Sequence, residues 1–218
     1  MRRISALLFS LVLAAPLASS ALTLQDLNAG ASFTNSGGEL TFEFAAGSIA
    51  LSGALPADLS QYAVLPTASG FIVSGPLGVL GPAAFGALTL AYRVTAGAGL
   101  ELTSALLQGS GLAFGSGAFA IASSGLSNGA GFGILLTQGG GTGTTAGAAF
   151  GGASFLDALA NVQLFALMPG DIASLGSFQH GFGWAAVPEP AASLTLAAGL
   201  LGLALLGRRR TGGPSATA

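Results

Sequence analysis

The chain has 218 residues, no cysteine and no lysine, and 6% of its residues are charged, against about 25% in ordinary soluble domains. Lack of cysteine excludes disulfides, thiolate metal sites and a cysteine nucleophile. Arg2, Arg3, Arg208, Arg209 and Arg210 lie near the ends, so residues 22–186 hold one cation, Arg93, against seven carboxylates, a net charge of −6; such a surface cannot neutralise a phosphate backbone, and nucleic acid is excluded as a partner.

The first element is a secretory signal peptide predicted over residues 1–21. Arg2-Arg3 form its basic start, Ile4 to Leu17 its apolar run, and Ala18, Ser20 and Ala21 its small-residue cleavage site. An uncleaved anchor would not need small residues there. The reading implies passage through the Sec translocon, cutting by signal peptidase, and folding outside the cytoplasm.

Residues 22–186 are predicted to form a β-rich exported domain. It opens with a short helix over Thr23 to Ala29, where Thr23 and Asp26 make a capping pair and Gly30 a stop. Period-two alternation follows. Leu40, Phe42 and Phe44 share one strand face. Phe71 to Val73 forms a short strand. Ala87 to Thr95 is the clearest, with Leu88, Leu90, Tyr92 and Val94 opposite Thr89, Arg93 and Thr95. Leu100 to Leu107, Ala118 to Ala122, Phe132 to Thr137 and Val162 to Leu167 continue the pattern, and Phe178 to Ala186 ends it with Phe178, His180, Phe182 and Trp184 on one face. Asn35-Ser36-Gly37-Gly38 and Ser127-Asn128-Gly129 read as hairpin turns. Pro56, Pro66, Pro76, Pro82 and Pro169 are placed in connections, where a missing N–H breaks no ladder. Ser154 to Ala160, with Ser154 and Asp157 at capping distance, reads as a second short helix. Many short strands with Gly-rich turns predict an all-β fold, an antiparallel β-sandwich or jelly-roll-like domain. No exact internal repeat supports a β-solenoid.

No constellation in this domain spells out catalysis. His180 is the sole histidine, lies between Phe178 and Phe182, and has no Gly-x-Ser-x-Gly elbow to serve; it reads as a packed core residue. Glu39 and Glu43 share a strand face about 13 Å apart, too far for a glycosidase pair within one strand. Gly139 to Thr145 lacks the lysine of a phosphate loop, and Gly115-Ser116-Gly117-Ala118-Phe119-Ala120 fits a dinucleotide fingerprint only by letter, with no βαβ unit around it. Trp184, Tyr62 and Tyr92 could stack on sugar rings, although Tyr92 and Trp184 fall on apparent core faces. Thr142, Thr144 and Thr145 are too few and irregular for an ice-binding array. The expectation is a protein without catalytic residues, metal site or cofactor.

The last element is tripartite. Val187-Pro188-Glu189-Pro190 precedes 17 uncharged residues, Ala191 to Gly207, and then Arg208-Arg209-Arg210. As a helix the uncharged run would rise about 26 Å, enough for a short transmembrane span, and the arginines would hold its C-terminal end in the cytoplasm. Residues 211–218 would form a short cytoplasmic tail. Residues 187–210 resemble the PEP-CTERM sorting signal of Gram-negative bacteria, whose tail is also catalogued as the C-terminal domain of ice-binding proteins. That resemblance implies transient inner-membrane anchoring, then removal of the helix by exosortase, a membrane-embedded transpeptidase-like protease. The domain before it also resembles one recurrent PEP-CTERM group, in which a short helix leads into a strand like Gly30-Ala31-Ser32-Phe33 and an aromatic strand precedes the tail. That group brings no assigned activity.

The sequence therefore predicts an exported surface or extracellular-matrix protein with a structural or adhesive role, or alternatively a carbohydrate-binding module of the exopolysaccharide matrix. Mass spectrometry of the C-terminal peptide tests the sorting step. Cells with exosortase are expected to yield a chain ending near Pro188-Glu189-Pro190, and cells without it a chain ending at Ala218. An intact tail in both would contradict the reading.

Overall fold

The computed structural model describes residues 21–137 and 144–187. Residues 1–20, with the expected signal peptide, residues 138–143, and residues 188–218, with the expected sorting motif and membrane run and Arg208, Arg209 and Arg210, lie outside the described residues. Among the described residues no helix is long and apolar enough to cross a membrane.

A five-residue helix, α1 (Leu24–Asn28), starts the domain. The Thr23 hydroxyl accepts from the Asp26 N–H, and the Asp26 carboxylate accepts from the Thr23 N–H at 2.9 Å, so both exposed donors are satisfied reciprocally. Leu24 and Leu27 are buried on its inner face. Eleven strands follow: β1 (Ser32–Thr34), β2 (Leu40–Gly53), β3 (Ala63–Pro66), β4 (Gly70–Leu80), β5 (Ala84–Ala96), β6 (Leu100–Phe114), β7 (Ala118–Leu126), β8 (Gly131–Leu136), β9 (Thr144–Ala153), β10 (Phe155–Ala166) and β11 (Ile172–Ala186).

They form two antiparallel sheets, one in the order β1-β2-β5-β10-β7-β8 and the other β3-β4-β11-β6-β9. Alternate residues of both sheets point into one shared core, the arrangement of a β-sandwich. The centre of that core is aromatic. The Phe71 ring meets Phe42 edge-on at 5.3 Å and Tyr92 at 5.3 Å, and Phe44 stacks on Tyr92 at 5.0 Å.

Two expectations change. Ser154 to Ala160 is not helical; it opens β10, where Leu156, Ala158 and Ala160 alternate inward and pair with Val94, Tyr92 and Leu90 of β5. The Ser154/Asp157 spacing imitates a cap, but burial on a two-residue period decides the element. Pro76 lies inside β4, not in a connection. It sits where the β4–β11 ladder shifts register, between Leu175 and Ser177, and β3 pairs only as far as Ser74, so no hydrogen bond is lost. Pro66 likewise closes the edge strand β3.

Of the described connections that cross between the sheets, among them residues 54–62, three short ones meet at one end: residues 81–83, 115–117 and 167–171. The middle strands β10 and β11 are inserted between the pairs β4/β5 and β6/β7, so crossover 167–171 lies between the other two. Asp171, 2% exposed, ties them together. Its carbonyl accepts from the Gly81 N–H at 2.9 Å, its carboxylate accepts from the Met168 N–H at 2.8 Å, and the Leu167 N–H donates to the Gly117 carbonyl at 3.3 Å. Gly115, at φ +101°, lies so close that a Cβ there would overlap the Asp171 carboxylate. Removing that carboxylate takes away the charged acceptor of the Met168 N–H. Asp171→Ala is expected to lower the unfolding free energy by about 1.5–3 kcal/mol in urea melts, with a smaller loss in Asp171→Asn, which keeps an acceptor. Equal stability of all three proteins would contradict this role.

Candidate functional site

Outward residues of the six-stranded sheet line up in cross-strand rows, because the register fixes which side chains stand beside one another. Glu43 of β2 is opposite Arg93 of β5, and Arg93 is opposite Asp157 of β10. Arg93 donates to both carboxylate oxygens, Nε to Oδ1 at 2.8 Å and Nη2 to Oδ2 at 3.2 Å. Its guanidinium also lies 4.7 Å over the Phe155 ring, a cation–π contact. Both members of the pair remain about half exposed, 47% and 55%, so the pair orients a guanidinium more than it stabilises the fold.

Beside this row is an open groove of about 800 Å³. One wall is the bulge in β2 between Phe44 and Ile49. Its far side is tied to α1, where the Ile49 N–H donates to Asn28 Oδ1 at 3.0 Å. The other wall is the β7–β8 turn, where Ser127 exchanges two hydrogen bonds with the Asp157 backbone, at 2.9 and 3.1 Å. Ala91 and the exposed Leu159 supply an apolar floor. The next row is polar: Thr89 Oγ1 donates to Asn161 Oδ1 at 2.8 Å, and Ser123 stands opposite Asn161.

This arrangement can hold a ligand. The bidentate pair uses two of the five guanidinium N–H donors and leaves the rest for a ligand. Hydrogen bonds from Arg93 hold the Asp157 carboxyl below the usual carboxylate range. Glycoside hydrolysis needs an acid shifted the other way, protonated near neutral pH. Among the described residues no three His, Asp or Glu side chains converge on a metal-sized site.

Of the residues singled out in the sequence, Glu43, Tyr92 and Arg93 line this groove, and the other candidates fall elsewhere. Tyr62 and Tyr92 are buried, and Trp184 is half-buried against the core, so none of these rings presents a face to a sugar. Glu39 accepts from Asn35 Nδ2 at 2.9 Å in the β1–β2 turn and is apart from Glu43. Thr144 and Thr145 begin β9, and Gly115 to Gly117 form a crossover. Ala21 and Val187 are the described ends of the two proposed signals; the Val187 N–H donates to the Gly99 carbonyl at 2.9 Å. The Arg93–Asp157–Phe155 cluster is not legible in the sequence, since Arg93 is more than sixty positions from the other two and the Ser154/Asp157 spacing imitates a helix cap.

His180 is fully buried, as its place between phenylalanines predicts. Its Nδ1 shares a hydrogen bond with the Tyr92 hydroxyl, and its Nε2 has no partner. Phe71, Phe132 and Phe182 surround the ring. Burial pushes its pKa down to about 3.

No protein-family model and no curated protein matches this chain. Among solved structures, TmCBM61 in complex with beta-1,4-galactotriose is 14% identical, with 61% of this chain and 86% of that one covered at a TM-score of 0.33. An exo-beta-1,3-galactanase from Phanerochaete chrysosporium is 12% identical, with 69% and 29% covered at 0.25. The family 11 carbohydrate-binding module of the cellulase Lic26A-Cel5E of Clostridium thermocellum is 10% identical, with 73% and 89% covered at 0.23. At these scores none of them carries a site or an activity over to this chain.

The buried histidine gives a pH dependence of stability. Above pH 6.5 it is neutral in both folded and unfolded chains and contributes no slope. Below that the unfolded chain takes up a proton that the folded chain refuses until about pH 3. Stability is therefore expected to fall on acidification, by up to about 1.4 kcal/mol per pH unit across this window. Urea melts between pH 6.5 and 5.5 read it above the carboxylate range, and the double variant Tyr92→Phe/His180→Phe should flatten the slope. An unchanged slope in the double variant would contradict the assignment.

Proposed function

We propose that this chain is an exported, non-catalytic surface or matrix protein that adheres to neutral extracellular polysaccharide through the groove on its six-stranded sheet. The observation that carries this reading is the oriented Arg93–Asp157 pair standing beside an apolar floor in an open groove. A sugar ring offers an apolar C–H face and an edge of hydroxyls. Leu159 and Ala91 suit the face, while Glu43 and the unused Arg93 donors suit the edge. An open, half-exposed groove fits a polymer that passes across it. The net charge of −6 over residues 22–186 disfavours acidic polysaccharides, which leaves neutral ones as the expected partner.

Delivery is proposed from the two ends of the chain. The signal peptide would start export through the Sec translocon, and the PEP-CTERM-like tail, from Val187 to Arg210, would hold the chain in the inner membrane until exosortase releases it to the surface or the matrix. The Asp157 carboxyl, held below the usual carboxylate range by Arg93, supports an adhesive role over hydrolysis.

A panel of neutral oligosaccharides and the exopolysaccharide of the producing cells tests the reading by calorimetry. Binding is expected, and Arg93→Ala should weaken it about tenfold, the effect of losing one or two charge-assisted hydrogen bonds. Gln108→Ala, on the opposite sheet, should leave it unchanged. Failure of every glycan to bind, or equal binding by Arg93→Ala, would overturn the proposal.

A further inference from the structure

We propose that the crossover end of the sandwich inserts into an uncharged lipid surface. The inference is independent of the glycan reading, because it concerns the opposite end of the molecule. Six of the twelve large apolar side chains exposed among the described residues gather there: Leu80, Phe85, Phe114, Leu167, Met168 and Ile172. Leu80, Ile172 and Phe114 stand side by side on the outer face of the five-stranded sheet, with Leu80 65% and Phe114 61% exposed. Phe85, Phe165 and Phe119 stand side by side on the outer face of the six-stranded sheet; the ring centroids are 5.0 and 4.5 Å apart. Leu167 and Met168, both about half exposed, lie in the crossover between the two rows.

The shape of this surface selects its partner. The two rows are on opposite faces of the sandwich, so a flat protein surface could cover one of them and not the other. A fluid apolar phase that surrounds the end covers both rows and the tip together. The apolar collar occupies the last two residues of each strand, roughly 7 Å of rise, and interfacial insertions reach about 5–10 Å into a bilayer. Directly behind it polar and apolar side chains mix: Gln163 stands between Ala87 and Ile121, and Ser174 between Gly78 and the exposed Leu112.

Part of the backbone at the tip is hydrogen-bonded internally, as an apolar surrounding favours. The N–H groups of Gly81, Ala83, Leu167, Asp171 and Ala118 donate to carbonyls within the same end, and Met168 donates to the Asp171 carboxylate. Those of Gly115, Ser116, Gly117 and Gly170 are left for the water of the headgroup layer, which a shallow interfacial insertion retains. Pro82 and Pro169 have no N–H to satisfy. Asp171 is the one charged residue in the three crossovers, and it is buried. With no cation among the described residues of this end, attraction to anionic lipid is absent. The expected surface is therefore zwitterionic lipid, bound without dependence on salt.

The chain has no cysteine, so a single thiol can be placed at either end of the full-length protein. Met168→Cys reports the crossover end and Ala98→Cys the β5–β6 turn at the other end, each labelled with a polarity-sensitive fluorophore and mixed with phosphatidylcholine vesicles. The label at 168 is expected to brighten several-fold and to be quenched by spin-labelled acyl chains, alike at low and high salt, while the label at 98 stays unchanged. Adding Leu80→Asp and Phe114→Asp should abolish the response at 168, and Phe114→Cys gives a second label position should the first disturb the loop. A silent label at 168, or equal brightening at 168 and 98, would overturn the proposal, the latter because it would assign binding to the terminal segments. Brightening with protein concentration in the absence of lipid, with a dimer mass by light scattering, would also overturn it and assign the collar to a second copy of the chain.

Discussion

A single buried carboxylate sets the geometry on which the rest of the molecule depends. Asp171 sits in the crossover between β10 and β11, and its hydrogen bonds reach the crossover on one side and its close packing the crossover on the other. These two strands are inserted between β4/β5 and β6/β7. Fixing the three crossovers against one another therefore fixes the register of four ladders. Register matters because a slip of one residue turns every side chain to the opposite face. The row that brings Glu43, Arg93 and Asp157 together, and the apolar rows at the other end, both exist only in this register.

Scarcity of charge gives that geometry its functional consequence. With one cation in residues 22–186, the domain has one place where a fixed positive group can meet a ligand, and that place is the groove. The remaining surface is polar through Ser, Thr, Gln and Asn or apolar outright. The molecule is polarised as a result. The groove row and the exit of the chain at Val187, held by Gly99 in the β5–β6 turn, belong to one end. The apolar collar belongs to the other, about 45 Å away along β11. In the proposed account a polysaccharide is held near the end from which the sorting tail departs, and lipid is met at the far end.

Much of this was legible in the residues, and the failures have definite physical causes. The capping box at Thr23 and Asp26, the two hairpin turns, and the alternation in Ala87 to Thr95 and in Phe178 to Ala186 were readable because each signal is local. Burial of His180 was readable from its phenylalanine neighbours. β9 was not, because Thr144 to Ala153 is built mostly of Gly, Ala and Thr and offers little hydrophobic contrast between its two faces. The first half of β10 was misassigned because alanines on its inner face weaken the alternation and Ser154/Asp157 mimic a cap. The groove depends on pairing between positions 93 and 157, which only the β5–β10 register determines. Period two tells that Leu80, Phe114 and Phe165 lie on one face of their strands. It does not tell that this face points outward.

The most direct measurement is a chemical-shift titration of the isotopically labelled protein with a neutral oligosaccharide from the exopolysaccharide of the producing cells. The account predicts saturable shifts confined to Glu43, Ala91, Arg93, Ser127, Asp157 and Leu159, with Gln108 and Gln179 on the opposite sheet unmoved. Shifts centred on the five-stranded sheet, or none at all, would contradict it.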